Sequence, residues 1–213
     1  MPNWCGNTLT LTHDDPVMIA RAVKAFDRGE FFNEFIPCPK DLCHEDISTW
    51  FKDEEKQRVV DALKAANKEK YGYESWYEFN IAEWGTKWDV GNSQGINDVD
   101  TNELVVYFDS AWSPPIAAYE KLEEQGFRVH ATYYEPGSAF AGIYDDMGDN
   151  CYDLAGMSAD EAHDSLPPEL DDAFGISDTM YETEAENEDE VTTWYKEGVK
   201  DTGLEPHKVK DEQ

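Results

Sequence analysis

Between Trp84 and Asp89 the chain reads Trp-Gly-Thr-Lys-Trp-Asp, two indoles, a cation and a carboxylate within six residues. Aromatic faces beside an ammonium suit stacking and charge recognition. Trp84, Lys87, Trp88 and Asp89 are therefore the candidate recognition loop. The same residues also suit burial. On a strand, Trp84, Thr86 and Trp88 share one face, Gly85 permits close backbone approach, and Lys87 pairs with Asp89. This structural reading explains more of the block than the recognition reading does.

Other chemistry-bearing residues lack a frame. Asp109, Trp112, Ser113 and the pair Pro114-Pro115 read as a corner between strand and helix, with Ser113 as the N-cap. A nucleophilic serine needs a histidine base; none lies near Ser113 in sequence, and no Gly-x-Ser-x-Gly elbow occurs. Cys38, Cys43 and His44, with Cys5 as a further candidate, carry zinc-ligand atoms. Their spacing is not that of a zinc knuckle, and a structural site needs four placed ligands. Burial as small apolar groups is the simpler reading. With 47 carboxylates in the chain, acid–base pairs and two-metal sites arise by chance. The expectation is no catalytic residue, no metal and no cofactor.

The elements that position these residues alternate between strand and helix. Leu9 and Leu11 alternate with threonines over 7–12, a half-buried strand. Asp14 or Asp15 caps a helix with Pro16 in its first turn, with Ile19, Val23 and Phe26 on one face and Gly29 ending it. A connector holds Pro37 and Pro39. A second helix runs from about Asp53 to Lys70, with Val59, Leu63 and Ala66 as its apolar stripe. The aromatic segment 74–92 is expected to contain one or two strands. Residues 103–112 form the clearest strand, then a helix carries Ile116, Tyr119 and Leu122 up to Gly126. Residues 127–134 and 139–144 pair as a hairpin across the turn at 135–137. Without the inserted second helix, the order matches an α+β, ferredoxin-like split βαβ antiparallel sheet.

Charge divides the chain. The formal net charge is −30. Residues 1–145 hold 26 acidic and 13 basic residues, whereas 146–213 hold 21 and 4. The expected organisation is a folded domain over 1–145 and an acidic extension over 146–213. Within the extension, 158–166 reads as a short capped helix and 165–176 as a loosely packed turn. Residues 182–190 carry too much like charge to fold alone, and 190–199 reads as a final amphipathic helix docking through Trp194.

This balance excludes several function classes. DNA repels so acidic a protein at long range, so direct nucleic-acid binding is not expected. A basic protein is the natural partner, and Glu182, Glu184, Glu186, Glu188, Asp189 and Glu190 are the candidate partner-binding carboxylates. Lysine outnumbers arginine 13 to 4, which argues against adaptation to a salty cytoplasm. No apolar run is long enough to span a bilayer. The N-terminal segment lacks a signal-peptide pattern, and the four cysteines are too scattered for a disulfide framework. A cytoplasmic setting is expected.

Four blocks in order resemble a known family: MPNWCGNTLTL at the start, AEWGTKWDVG at 82–91, FDSAWSPPIAAYEKL at 108–122 and ATYYEPGSAFAG at 131–142. Over residues 1–145 the chain resembles the YubB-type ferredoxin-like proteins of bacteriophages and plasmids, whose function is unknown. One departure is Glu83, where the family pattern would place Asn. The resemblance implies a ferredoxin-like core and a mobile-element setting in a bacterial host, and brings no catalytic residues. Together with the charge, it leads to the expectation of an accessory protein that acts by binding. DNA mimicry against a host nucleic-acid-handling or defence protein is the leading form. The alternative is an acidic module of metabolic or structural role, its charge merely solvating it.

Overall fold

A computed structural model describes residues 3–44, 47, 49–90 and 94–187. Six strands form one antiparallel sheet: β1 (Trp4–Thr12), β2 (Gln94–Val99), β3 (Glu103–Ala111), β4 (Arg128–Glu135), β5 (Phe140–Asp145) and β6 (Gly148–Asp153). Their order is β2-β3-β1-β4-β5-β6. The first four strands, with helices after β1 and β3, make the split βαβ arrangement of an α+β ferredoxin-like fold. Strands β5 and β6 widen it beyond β4.

Register follows from alternation. Leu9 faces Val106 and Ala131 on its two neighbours, and Leu11 faces Leu104 and Val129. These six side chains are buried. Against them pack α1 (Pro16–Asp27), α2 (Phe31–Phe35), α4 (Trp76–Glu83) and α5 (Ile116–Glu124), which supply Ile19, Phe26, Phe31, Phe32, Phe79, Tyr119 and Leu122 to the core. Asp15 caps α1 by accepting the Val17 amide.

The inserted helix α3 (Glu54–Tyr71) is capped by Asp53 and ended by Gly72 in the left-handed region. Its buried face lies one position away from the expected stripe. Val60 and Asn67 are buried while Val59 and Ala66 are exposed. Asn67 explains the offset: its amide donates to Asp41 O and Glu74 O, 3.3 Å each. The helix thus docks through hydrogen bonds as well as apolar area.

Other local expectations are corrected. Over its described residues, 74–90, the aromatic segment forms α4 and tight turns, not strand; Phe79 and Asn80 are buried at adjacent helical positions. The strand expected there is β2 at 94–99, whose Gly, Asn and Asp residues have little strand propensity and whose pairing slips at a bulge between Ile96 and Asp98. The connector after α1 contains α2, driven by burial of Phe31, Phe32 and Phe35. Ser113 is not an N-cap. Helix α5 begins after Pro115 without a side-chain cap, and Ser113 Oγ donates to Gly85 O at 2.8 Å.

By its internal contacts the chain divides into Met1–Ala155 and Gly156–Gln213. The division falls beyond Asp145 because β6 extends the sheet. In the second unit α6 (Ala159–Ser165) starts with a reciprocal Ser158–Glu161 capping box. Helix α7 (Pro168–Phe174) replaces the expected loose turn. A further helix, α8, runs over residues 176–187. Among the described residues of this unit, Ala159, Ala162, Leu166, Leu170 and Ile176 are the buried apolar ones. Residues 182–187, expected to be too charged to fold alone, continue α8. Residues 188–190 and the expected helix around Trp194 lie outside the described residues. Among the described residues no helix is long and apolar enough to cross a membrane.

Candidate functional site

The block 84–89 turns each side chain differently. Trp84 is buried and donates through Nε1 to Ile36 O at 3.0 Å. Gly85 has φ +81°, and a Cβ there would sit 3.2 Å from the Ile116 amide, so the turn lies hard against the start of α5. Thr86 is buried; its hydroxyl donates to Ala111 O at 3.3 Å and accepts the Ala111 amide at 3.0 Å. Asp89 accepts the Phe32, Asn33 and Val90 amides, each at 2.9 Å. It therefore caps α2 from a distant part of the chain instead of pairing with Lys87. Burial raises its carboxyl pKa above the ordinary aspartate value, while these amide hydrogen bonds pull it back.

Glu83, beside the block, ion-pairs with Lys121 of α5 and accepts the Tyr73 hydroxyl. The block is thus sutured to α2, β3 and α5. Only Lys87 and Trp88 remain on the outside.

There they join three rings from elsewhere in the chain. Trp88 lies 6.0 Å from Trp4 of β1, centroid to centroid, and stacks on Trp112 at 6.2 Å with an interplanar angle of 25°. Lys87 Nζ stands 4.4 Å from the Trp88 ring centroid, 5.4 Å from that of Trp112 and 5.7 Å from that of Tyr77. Fractional exposures are 47% for Trp4, 42% for Tyr77, 39% for Trp88 and 43% for Trp112. Large rings half-exposed side by side make a contiguous apolar patch and so a candidate interaction surface, since isolated exposed residues are ordinary but contiguous patches are not.

Trp112 also has φ +66°, a left-handed conformation that costs a bulky residue free energy. Its amide donates to Asn3 O at 3.0 Å, tying it to the start of β1. The surface is therefore Trp4, Tyr77, Lys87, Trp88 and Trp112. Trp84 and Asp89 lie beneath it as supports.

The candidate carboxylates are placed differently. Glu182, Glu184 and Glu186 lie exposed on α8, while Glu188, Asp189 and Glu190 are outside the described residues. Glu184 accepts the Ala159 amide at 2.8 Å. Asp178, Glu182 and Glu186 recur every four residues and form one stripe rising about 6 Å per step. Residues 156–187 contain ten carboxylates and no lysine or arginine.

In the first unit, by contrast, cations are interleaved with acids. Arg21 pairs with Glu34 at 2.6 Å, Lys70 with Asp41 at 2.8 Å and Arg128 with Asp14 at 3.1 Å.

Of the residues carrying zinc-ligand atoms, Cys38 and Cys43 come together, with 3.5 Å between their sulfurs. Cys5 is buried in β1, where burial pushes its thiol up to about 12. Among the described residues no three His, Cys, Asp or Glu side chains group to hold a metal. A groove of about 520 Å³ along α3 is lined by His44, Phe51, Lys56, Val59, Val60 and Leu63. Among the described residues of that lining there is no carboxylate pair.

No protein-family profile matches the chain, and no curated protein does. A solved structure with some likeness is that of protein api92 from Yersinia pseudotuberculosis, of the family DUF1281. It is 12% identical, covers 74% of this chain and 100% of its own, and has a TM-score of 0.39. A likeness of that size says nothing about what this chain binds.

Proposed function

We propose that this chain acts by binding a basic macromolecular partner, with the aromatic surface around Trp88 as the anchor and the acidic charge as the selector. The observation that carries this reading is the clustering of four half-exposed rings drawn from three separate sequence blocks. Tryptophan and tyrosine dominate binding hot spots. The left-handed backbone at Trp112 adds support, because strain is retained where an exposed side chain must be presented. The formal charge of −30 sets the sign of the partner. The stripe on α8 adds to the field, although like charges four residues apart destabilise a helix by about 0.2–0.5 kcal/mol per pair.

A partner that normally holds nucleic acid presents a basic groove of the required kind. The family resemblance supplies a phage or plasmid setting, and the proposed role is DNA-mimic inhibition of a host nucleic-acid-handling or defence protein. The test is capture from host lysate at low and moderate salt, with partners identified by mass spectrometry. The expected result is recovery of a nucleic-acid-handling protein by the full chain, reduced by Trp88→Ala and by removal of residues 156–213. Recovery of no such protein at either salt concentration refutes the proposal.

A second reading, a solvated acidic module without mimicry, is favoured by one observation. Glu161, Asp171 and Glu184 are spent on caps and local hydrogen bonds within their own unit. It predicts that removing 156–213 leaves function unchanged.

A further inference from the structure

Cys38 and Cys43 end a tight turn that includes the 3-10 helix Lys40–Cys43. Their sulfurs are 3.5 Å apart, and both are free thiols, Cys43 exposed and Cys38 partly buried. The surrounding backbone is pinned. Pro37 and Pro39 fix their own φ on either side of Cys38, and the Cys38 amide donates to Asn33 Oδ1 at 3.0 Å. On the other side, Asp41 Oδ2 accepts Lys70 Nζ at 2.8 Å and the Tyr71 hydroxyl at 2.7 Å. The two thiols are therefore brought together by contacts that do not depend on a bond between them. A disulfide needs about 2.05 Å between sulfurs, so closure has only about 1.5 Å to cover from the observed 3.5 Å.

We propose that Cys38 and Cys43 form an oxidisable dithiol, a modification site that reacts with low-molecular-weight disulfides and closes to an intramolecular disulfide. The Cys43 thiolate, on the accessible side, attacks one sulfur of a small disulfide RSSR. The S–S bond breaks, RS⁻ leaves, and a mixed disulfide forms on Cys43. Cys38 then loses its proton and attacks Cys43 Sγ. The Cys38–Cys43 bond forms and the second RS⁻ leaves. The two protons released by the cysteines end on the two thiolates, so two protein thiols are oxidised as RSSR is reduced to two RSH.

Burial and the neighbouring Cys43 raise the Cys38 thiol to about 12. Closure needs the Cys38 thiolate and therefore accelerates with pH. Cys43 opens the reaction and Cys38 resolves it. Cys5, buried, and Cys151, exposed but on β6, serve as internal comparisons.

The experiment treats the full chain with oxidised glutathione, alkylates the remaining thiols, and digests with trypsin, which cuts between the two cysteines after Lys40. The expected result is that the peptides 29–40 and 41–52 are joined covalently, while exposed Cys151 carries at most a glutathione and buried Cys5 stays unmodified. Cys38→Ser is expected to stop at one stable glutathione on Cys43. Cys43→Ser is expected to leave Cys38 unmodified over the same time. The proposal is overturned if the joined peptides never form, if the wild type keeps glutathione on Cys43 as Cys38→Ser does, or if Cys38 reacts equally fast in Cys43→Ser.

Discussion

Replacing Asp89 with alanine removes the acceptor of three amides, those of Phe32, Asn33 and Val90. A hydrogen bond to a charged group contributes about 1.5–3 kcal/mol, and a buried donor left unpaired costs about 1–3 kcal/mol. The Asn33 amide is exposed and turns to water, while those of Phe32 and Val90 are partly buried. Relief of the carboxylate's own desolvation offsets some of the loss. The expected net destabilisation for Asp89→Ala is about 3 kcal/mol, or about 6–12 °C in Tm for a chain of this size.

Asp89→Asn is the sharper probe. Its Oδ1 keeps the Phe32 and Val90 amides, and only the partner of the Asn33 amide is lost, so about 1 kcal/mol is expected. Because burial raises the Asp89 carboxyl, the folded state holds its proton more tightly than the unfolded state does. Its contribution is fullest at low pH and falls as pH rises through the folded pKa. Wild type should therefore gain on Asp89→Asn as pH falls. Urea unfolding followed by tryptophan fluorescence measures all three proteins. The reasoning fails if Asp89→Ala lies within about 0.5 kcal/mol of wild type, given the two amides it orphans.

Trp112→Gly should unfold within about 1 kcal/mol of wild type, because relief of about 1 kcal/mol of left-handed strain offsets the packing of a half-exposed ring. Trp112→Ala, which removes the ring but keeps the strain, should be lower than Trp112→Gly in the same urea assay. Gly142→Ala places a Cβ against the Tyr133 hydroxyl and 2.8 Å from Asn150 O; overpacking of this kind costs about 1–3 kcal/mol, read as a lowered Tm by circular dichroism. Asp171 is raised by burial, but the Ser177 hydroxyl and amide and His163 outweigh that and leave its pKa below the ordinary 3.8. Its stabilisation of the α7–α8 junction is present above the ordinary value and lost as pH falls through the depressed one. An acid titration of helix content should show this step in wild type and not in Asp171→Asn.

Strands β1 and β3 were legible because Leu9, Leu11, Leu104, Val106 and Phe108 alternate with polar residues, and one face of each is buried. The capped helices α1, α3 and α6 were legible from Asp15, Asp53 and Ser158. Helix α4 was not, because Trp76, Tyr77, Phe79 and Ile81 have strand propensity that tertiary packing overrode. Strand β6 was hidden because Gly148, Asp149 and Asn150 carry no apolar alternation; its pairing with β5 supplies the order. The aromatic surface was half legible. Lys87 and Trp88 stood in the recognition block, but Trp4, Tyr77 and Trp112 reach them only through the sheet register and the turn at Trp112. The available signal was that Trp4, Trp88 and Trp112 lie in three of the four blocks that resemble a family.

The two outermost strands bear on how any partner can attach. Strand β2 slips register at Ile96/Asp98, and β6 carries Asp149 and Asp153 with most of its side chains in water. Irregular pairing and edge carboxylates both discourage backbone-to-backbone zippering. A foreign peptide that tried to prolong this sheet would meet a broken ladder on one flank and anionic repulsion on the other. These edges leave side-chain recognition on a face as the favoured mode of attachment, and edge-to-edge self-association is disfavoured from both flanks.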